Sequence, residues 1–321
     1  MLPAYLRINL NSMPDESTIH IAFAFSKDFL TPFYVLITSI ISNNLLGSPL
    51  EFHAITSRVE ASEQARITAF VEEHKCSINF YTVSDEYIKS FVPGDGARYG
   101  LATYYRLFFP HLLPPYVQRY IYLDTDTIVV GSLRSLFDTD FAPAPLAAAP
   151  DAVLWMRNGR GLGYFFNAGV LVIDRARWQE LDLTKRCIDF MQQHPHLINY
   201  ADQDALNGVL EDNWHELEDK YNFTFRAVPP LPHQAYAQLL KDKVVIHYNE
   251  SVKPWNRLNT NRLGYLYAHY FKLSPQAGQK LYDDIEWTPA TLRELARLKL
   301  VNMYLNRPFL VSTWRKLKNI V

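Results

Sequence analysis

Residues 120–130 read Tyr-Ile-Tyr-Leu-Asp-Thr-Asp-Thr-Ile-Val-Val, an apolar run that ends in two aspartates one residue apart and then resumes. Side chains two apart in an extended strand share a face, so Asp124 and Asp126 can aim both carboxylates at one point. Two ionised carboxylates that close repel each other, and a hard divalent cation taking oxygen ligands relieves the repulsion. A polar strand end in a turn would produce the same spacing, and for an isolated Asp-x-Asp that simpler reading stands. A second segment changes the balance. Residues 247–255 read His-Tyr-Asn-Glu-Ser-Val-Lys-Pro-Trp, directly after Val244, Val245 and Ile246. His247 adds an imidazole, giving a mixed oxygen and nitrogen set that suits manganese or a similar first-row ion better than calcium. Lys253 offers a point charge for a phosphate, and Pro254 stiffens its loop.

Such groups need a scaffold that brings strand ends together. Apolar strands at 19–25, 50–56 and 77–82, and one ending at Asp124, alternate with helical stretches. Thr31 and Pro32 look like the N-cap and first-turn proline of the first helix, whose apolar stretch 33–41 is too short to span a bilayer and reads as buried. Ile67, Phe70 and Val71 share a face of a helix over 61–74, and 101–109 also reads as helical. This alternation predicts an α/β fold: a mostly parallel central sheet covered by helices, with ligands collecting at the carboxyl ends of strands. The aspartate pair sits at such an end.

Bulk properties agree. A chain of 321 residues, 48% hydrophobic and 20% charged, can bury a large core in one long domain or in a domain with an appendage. Its net charge of −1 gives no electrostatic footprint for nucleic acid. Only Cys76 and Cys187 are present; Cys187 falls at helical spacing with Leu183, Phe190 and Met191 and reads as core. Two unclustered cysteines support neither a disulfide framework nor a metal site, which fits a reducing cytoplasm. The N-terminus lacks the basic start and apolar core of a signal peptide, and no apolar run nears the roughly 20 residues of a spanning helix.

Four more stretches accompany the aspartate pair and the His247 segment. They are Ser26-Lys27-Asp28-Phe29 after the first strand, Thr103-Tyr104-Tyr105-Arg106-Leu107, Tyr164-Phe165-Phe166-Asn167-Ala168-Gly169-Val170-Leu171-Val172-Ile173, and Ala201-Asp202-Gln203-Asp204-Ala205-Leu206-Asn207. In order and spacing the set resembles glycosyltransferase family 8, the retaining sugar transferases that use nucleotide sugars, over roughly residues 18 to 260. Within that family it is most similar to the bacterial lipopolysaccharide core glucosyl- and galactosyltransferases. The resemblance implies the nucleotide-sugar transferase fold called GT-A, with a catalytic domain over 1–270 and a basic helical extension over 271–321. It implies a nucleotide-base loop from Ala24, Ser26, Asp28 and Phe29, donor contacts from Thr125 and Lys253, and a metal, Mn2+ or else Mg2+, on Asp124, Asp126 and His247. Arg106 and Asn167 would contact the donor sugar, and Asp202 and Gln203 would lie around the anomeric carbon.

The implied activity is metal-dependent, retaining transfer of glucose or galactose from a UDP-sugar to a hydroxyl of a bacterial glycan or glycolipid such as lipopolysaccharide. A catalytically impaired nucleotide-sugar-binding or scaffold protein is the alternative. Nucleotidyltransferases share metal-bound aspartates but leave 247–255 unexplained. Two positions depart from the family pattern. The base loop has Ser26, Asp28 and Phe29 where an acidic residue, then asparagine and an aromatic are usual, and Glu250 stands where glycine normally lets the backbone approach the diphosphate.

The chain's last part differs in character. Residues 290–321 hold seven basic residues (Arg293, Arg297, Lys299, Arg307, Arg315, Lys316, Lys318) against the single acid Glu294. Leu298, Leu300, Val301, Tyr304, Leu305, Phe309, Leu310, Val311 and Trp314 interleave with them. A basic, aromatic, amphipathic tail is attracted to an anionic membrane at about 1 kcal/mol per well-placed charge. The family's lipopolysaccharide enzymes carry similar tails, so the expectation is a cytoplasmic enzyme held peripherally at the inner membrane. A helix docked on the sheet with its charges in water is the simpler alternative. Gly159-Arg160-Gly161-Leu162-Gly163 imitates a dinucleotide fingerprint without the required strand and helix around it. It reads as a mobile loop beside the site, where Arg157 or Arg160 could meet an anionic acceptor.

Overall fold

The computed structural model describes residues 17–44, 47–92, 100–151, 165–224 and 233–307. Arg157, Arg160, the glycine run 159–163, Tyr164 and the tail residues from Phe309 to Lys318 lie outside them. The main sheet is built from β1 (Ile19–Ser26), β2 (Leu50–Ser57), β3 (Ser77–Tyr81), β4 (Arg119–Leu123), β6 (Leu146–Pro150), β7 (Phe166–Asp174) and β8 (His215–Glu216). A small second sheet joins β5 (Thr127–Val129), β9 (Phe223–Thr224) and β10 (Val245–His247). The main order is β3-β2-β1-β4-β7-β6-β8, and four of its six pairings are parallel. β7 runs antiparallel between β4 and β6, so its start lies beside the end of β4.

β1 is buried along seven of its eight residues, as a near-continuous apolar run in a helix-covered sheet requires. Ile21, Phe23 and Phe25 pack with Phe33, Leu36, Ile37 and Ile40 of the helix Leu30–Asn43, and with Ile67 and Val71 of Ala61–Glu73. On the opposite face Ala22 and Ala24 are small, and that face is filled by Tyr104, Tyr105, Phe109, Tyr120 and Tyr122. A third cluster, with Tyr236, Tyr248, Tyr267 and Phe271, covers the small sheet. The helix Gly264–Leu273 belongs to it, and Asn43 donates to the Tyr270 hydroxyl at 2.8 Å.

Three local expectations change. Thr31 is not an N-cap: the chain leaves β1 through a 3-10 turn, Lys27–Phe29, and the helix starts at Leu30. Pro32 then sits inside the first turn, where no N–H is required. Residues 101–108 form a 3-10 run rather than α-helix, followed by the short helix Phe109–Leu112 with Pro110 at its start. Asp124 and Asp126 do not share a strand face, because β4 ends at Leu123 and Asp124-Thr125-Asp126 turns the chain from the main sheet into the small one. The amide and hydroxyl of Thr127 donate to the Asp124 carbonyl at 3.1 and 2.8 Å and close that turn.

At the far end, Thr288 caps the helix Pro289–Leu305 in a reciprocal arrangement with Thr291, while Trp287, Leu292, Leu300 and Met303 are exposed. Among the described residues no helix is long and apolar enough to cross a membrane.

Candidate active site

Four chain segments meet at the turn after β4. β10 pairs antiparallel with β5 so that His247 lies opposite Thr127, and the Tyr248 amide donates to the Asp126 carbonyl at 2.9 Å. That ladder carries His247 to within one residue of Asp126 across 120 positions of sequence. On the other side the Asp124 amide donates to the Gly169 carbonyl of β7 at 2.8 Å. Ligand atoms of Asp124, Asp126 and His247 all fall within 4.8 Å of one another. The trio closes over Gly169, where a Cβ would stand 2.2 Å from His247 Cε1 and 2.8 Å from Asp124 Oδ2. Glycine is therefore a steric requirement of the cluster.

The hydrogen bonds fix which atoms face inward. Asn222 donates through Nδ2 to Asn167 Oδ1 at 2.9 Å, which turns its Oδ1 toward His247 Nδ1, also at 2.9 Å. Nδ1 must then be the donor, and in the neutral ring Nε2 keeps its lone pair. That nitrogen lies 3.2 Å from Asp126 Oδ1, a buried oxygen that receives no hydrogen bond. Two acceptors facing each other away from water call for a proton or a cation between them. The residues present thus fit a divalent ion: two carboxylates, an imidazole with its orientation fixed from behind, and an unsatisfied buried oxygen.

Charge balance around the trio is close. Lys253 Nζ stands 2.6 Å from Asp126 Oδ2 and donates to the Tyr248 carbonyl at 2.8 Å. Burial alone would raise the Asp126 carboxyl, but the Lys253 ammonium beside it outweighs burial and holds it well below the usual carboxylate range. Arg106, buried under the strand end, lies 3.0 Å from Asp124 Oδ1 and 2.7 Å from Asp202 Oδ2, donates to the Ala168 carbonyl, and stacks 4.5 Å over Tyr122. Tyr122 in turn donates to Asp124 Oδ1 at 2.9 Å. Burial pushes the Asp202 carboxyl up to about 7, with Arg106 opposing and Asp124 adding to the shift. Asp202 opens the helix Asp202–Leu210, directly after Ala201, a buried non-glycine residue at φ 54°. Backbone strain of that kind persists where surroundings over-determine it, often beside functional groups.

Gln203, next in that helix, accepts from the Ala168 amide at 3.0 Å and reaches Asp151 Oδ2 at 3.4 Å. Asn167 reaches the same Asp151 oxygen at 3.4 Å. Arg106, Asp124, Asp126, Asn167, Asp202, Gln203, His247 and Lys253 therefore belong to one hydrogen-bonded and ion-paired group, with Thr125 buried in the turn. The residues expected to form a nucleotide-base loop lie apart from that group, at the carboxyl end of β1. Ala24 is buried, Asp28 is exposed and ion-paired with Arg58 at 2.7 Å, and Ser26 reaches Asp28 at 3.5 Å. Phe29 meets Trp255 edge to face at 6.0 Å, so the loop joins the segment that carries Lys253.

Reasoning from sequence assigned no role to Gly169, Tyr122, Asp151 or Asn222. Asp151 carried a usable signal, a charge closing the apolar strand β6, and Gly169 interrupts an apolar strand, a sign of close backbone approach. Asn222 carried none.

The fold is that of a sugar-transferring enzyme whose turn after β4 gathers three side chains able to hold a metal, and the comparisons name the family. Residues 20–259 match the profile described as glycosyl transferase family 8, and the chain belongs to that family. It is 25% identical over 272 residues to general stress protein A of Bacillus subtilis, covering 80% of this chain and 94% of that protein. It is 26% identical over 260 residues to lipopolysaccharide 1,2-glucosyltransferase of Escherichia coli, covering 78% of this chain and 75% of that one. Among solved structures it is similar to the galactosyltransferase LgtC in complex with donor and acceptor sugar analogues, with a TM-score of 0.70 and 23% identity over 86% of this chain and all of that one. The architecture is the GT-A fold.

Proposed function

We propose that this enzyme transfers glucose or galactose from a UDP-sugar, with retention, to a hydroxyl of a bacterial surface glycan such as lipopolysaccharide. The observation that carries the reading is the meeting of Asp124, Asp126 and His247 over Gly169. The relatives named for lipopolysaccharide glucosyl and galactosyl transfer support the choice of hexose and acceptor.

Manganese, or magnesium in its place, would be held by Asp124, Asp126 and His247, and when bound it supplies Lewis-acid stabilisation of charge on the departing diphosphate. The chain's own residues do the rest. Lys253 adds a positive charge at the same end of the site. Phe29 and Trp255 offer aromatic surface to the base, with Ala24, Ser26, Asp28 and Thr125 lining the nucleotide's path. Arg106 holds Asp124 and Asp202 in place, and with Asn167 it orients the sugar's hydroxyls. Gln203, held by the Ala168 amide, presents a polar group to the anomeric carbon as positive charge builds there. An amide is a poor nucleophile, so the reading favours attack from the leaving group's own face, the departing phosphate oxygen taking the acceptor's proton. The paired-carboxylate scheme of glycosidases is not needed.

A panel of UDP-sugars assayed for manganese-dependent UDP release tests this reading. Release with UDP-glucose or UDP-galactose, lost in both Asp124→Asn and Asp126→Asn while circular dichroism is unchanged, is the expected result. Donor binding without any release would favour the nucleotide-sugar-binding alternative, and full activity in the double variant would reject the metal role. We assign residues 271–321 to a membrane-facing extension of a cytoplasmic enzyme. Arg293, Arg297 and Lys299 on the helix Pro289–Leu305, beside exposed Leu292, Leu300 and Met303, support that. Sedimentation of the full chain with phosphatidylglycerol vesicles, reversed by salt, is expected; no binding at low salt would reject it.

A further inference from the structure

A second group of metal-ligating side chains lies toward the other end of the main sheet. His20 of β1 and Glu51 of β2 are register partners, and His53 follows on the same face of β2. By register, His20 stands four strand positions below the level of Asp124, about 13 Å along the strands. His20 is 7% exposed and His53 is fully buried. His20 Nδ1 lies 3.3 Å from His53 Nε2 and 3.5 Å from Glu51 Oε2, and His53 Nε2 lies 3.9 Å from Glu51 Oε1. Tetrahedral zinc with bonds of about 2.0–2.2 Å sets neighbouring ligand atoms roughly 3.3–3.6 Å apart, so both separations from His20 Nδ1 match, whereas the 3.9 Å contact of His53 is to the other Glu51 oxygen and the carboxylate must turn to bring Oε2 to both imidazoles.

The atoms behind the trio are arranged as metal sites arrange them. Glu51 Oε1 accepts from Asn79 Nδ2 at 2.8 Å and from the Tyr116 hydroxyl at 2.7 Å, which leaves Oε2 toward His20. The Tyr81 hydroxyl lies 3.0 Å from His53 Nδ1, so the tautomer that donates to it presents a lone pair on Nε2. Burial lowers the proton affinity of His53 to about 3, with His20 adding to the effect, and burial also lowers His20 despite Glu51. Both imidazoles are thus neutral, the form that binds metal. The Glu51 side chain is 16% exposed, which gives an ion a way in.

We propose that His20, Glu51 and His53 form a second metal site, for zinc or a similarly borderline-soft divalent ion, with water in the fourth position, pinning β1 to β2. Two imidazoles and one carboxylate suit zinc better than manganese, so the two sites would select different ions.

The test uses the full chain carrying Asp124→Asn and Asp126→Asn, so that the first site cannot contribute. Dialysed against micromolar Zn2+ and freed of unbound metal, it is expected to retain one zinc per chain by elemental analysis. Co2+ in its place should give the intense visible absorption of a tetrahedral site. Adding His20→Gln should abolish retention, and Tyr81→Phe should weaken zinc binding by roughly tenfold or more. Zinc should also raise the melting temperature by about 5 °C at a hundredfold excess over Kd. A folded double variant that retains no zinc would overturn the proposal. So would retention unchanged by both His20→Gln and Glu51→Gln, variants that alter ligands at the less buried edge of the group.

Discussion

Similar donor types gather at two places in the molecule, and they gather for different reasons. At the carboxyl end Asp124 and Asp126 lie in a turn, His247 ends a short strand, and Gly169 leaves the room in which they meet. Toward the amino end His20, Glu51 and His53 are strand-interior residues brought together by the parallel register of β1 and β2. Groups on turns can be approached by a substrate, whereas groups on paired strands are held rigidly and partly walled off. The first arrangement suits chemistry and the second suits cohesion.

The sharpest way to break the comparison is to remove the space at the carboxyl end. Gly169→Ala would place a methyl group 2.2 Å from His247 Cε1, too close for either to stay put. Manganese-dependent UDP release should fall at least about a hundredfold, because a displacement near 1 Å in a catalytic group costs that much. A Gly169→Ala protein with parental turnover and manganese affinity would show that the three ligands do not act together. Zinc retention toward the amino end should be untouched by it.

Asn222→Ala probes the support behind His247 without touching a ligand. Losing the acceptor for Nδ1 frees the imidazole to rotate and change tautomer, so manganese affinity should drop roughly 10- to 100-fold. Turnover at saturating manganese should change far less. Equal losses in both would assign Asn222 a direct part in the reaction.

The two ends also differed in how legible they were from sequence. The alternating strands and helices over residues 19–123 were readable because buried parallel strands are continuous apolar runs and their helices show one apolar face. Asp124, Asp126 and His247 stood out because each interrupts or closes such a run. The turn joining the two aspartates did not, since an Asp-x-Asp reads alike in a strand and in a turn. Nor did the 3-10 character of 101–108, which shares its apolar residues with an α-helix. Asn222 and the His20 group were invisible for a stronger reason: their partners are set by strand register and sheet order, and nothing near them in sequence encodes either.

A buried carboxyl at the carboxyl end gives a third effect, read in stability against pH and not in turnover. Asp202, pushed up to about 7 by burial, keeps a proton in the folded protein that the unfolded chain releases near pH 4. The folded state then binds more protons across that window, so stability falls as pH rises from about 4 to about 7. Asparagine cannot ionise and escapes that fall. In denaturant titrations with chelator present, the stability of Asp202→Asn relative to the parent should rise with pH across the window, at no more than about 1.4 kcal/mol per unit. A constant offset from the lost partner of Arg106 will accompany it. A pH-independent difference would mean that Arg106 keeps Asp202 ionised throughout.

Glu250 separates the catalytic geometry from its decoration and carries the smallest expected effect. It is half-buried, between His247 and Lys253, where the family pattern has glycine. A carboxylate near a site for a diphosphate repels the donor, and the repulsion is weakened by solvent at a partly exposed position. Glu250→Gly should therefore lower KM for the UDP-sugar by about twofold to fivefold, corresponding to roughly 0.4–1 kcal/mol, with kcat unchanged. The effect should shrink as salt is raised, because screening removes what the substitution removes. A fall in kcat instead would give Glu250 a positive role in turnover and would place the site's boundary one residue group further along the His247 loop.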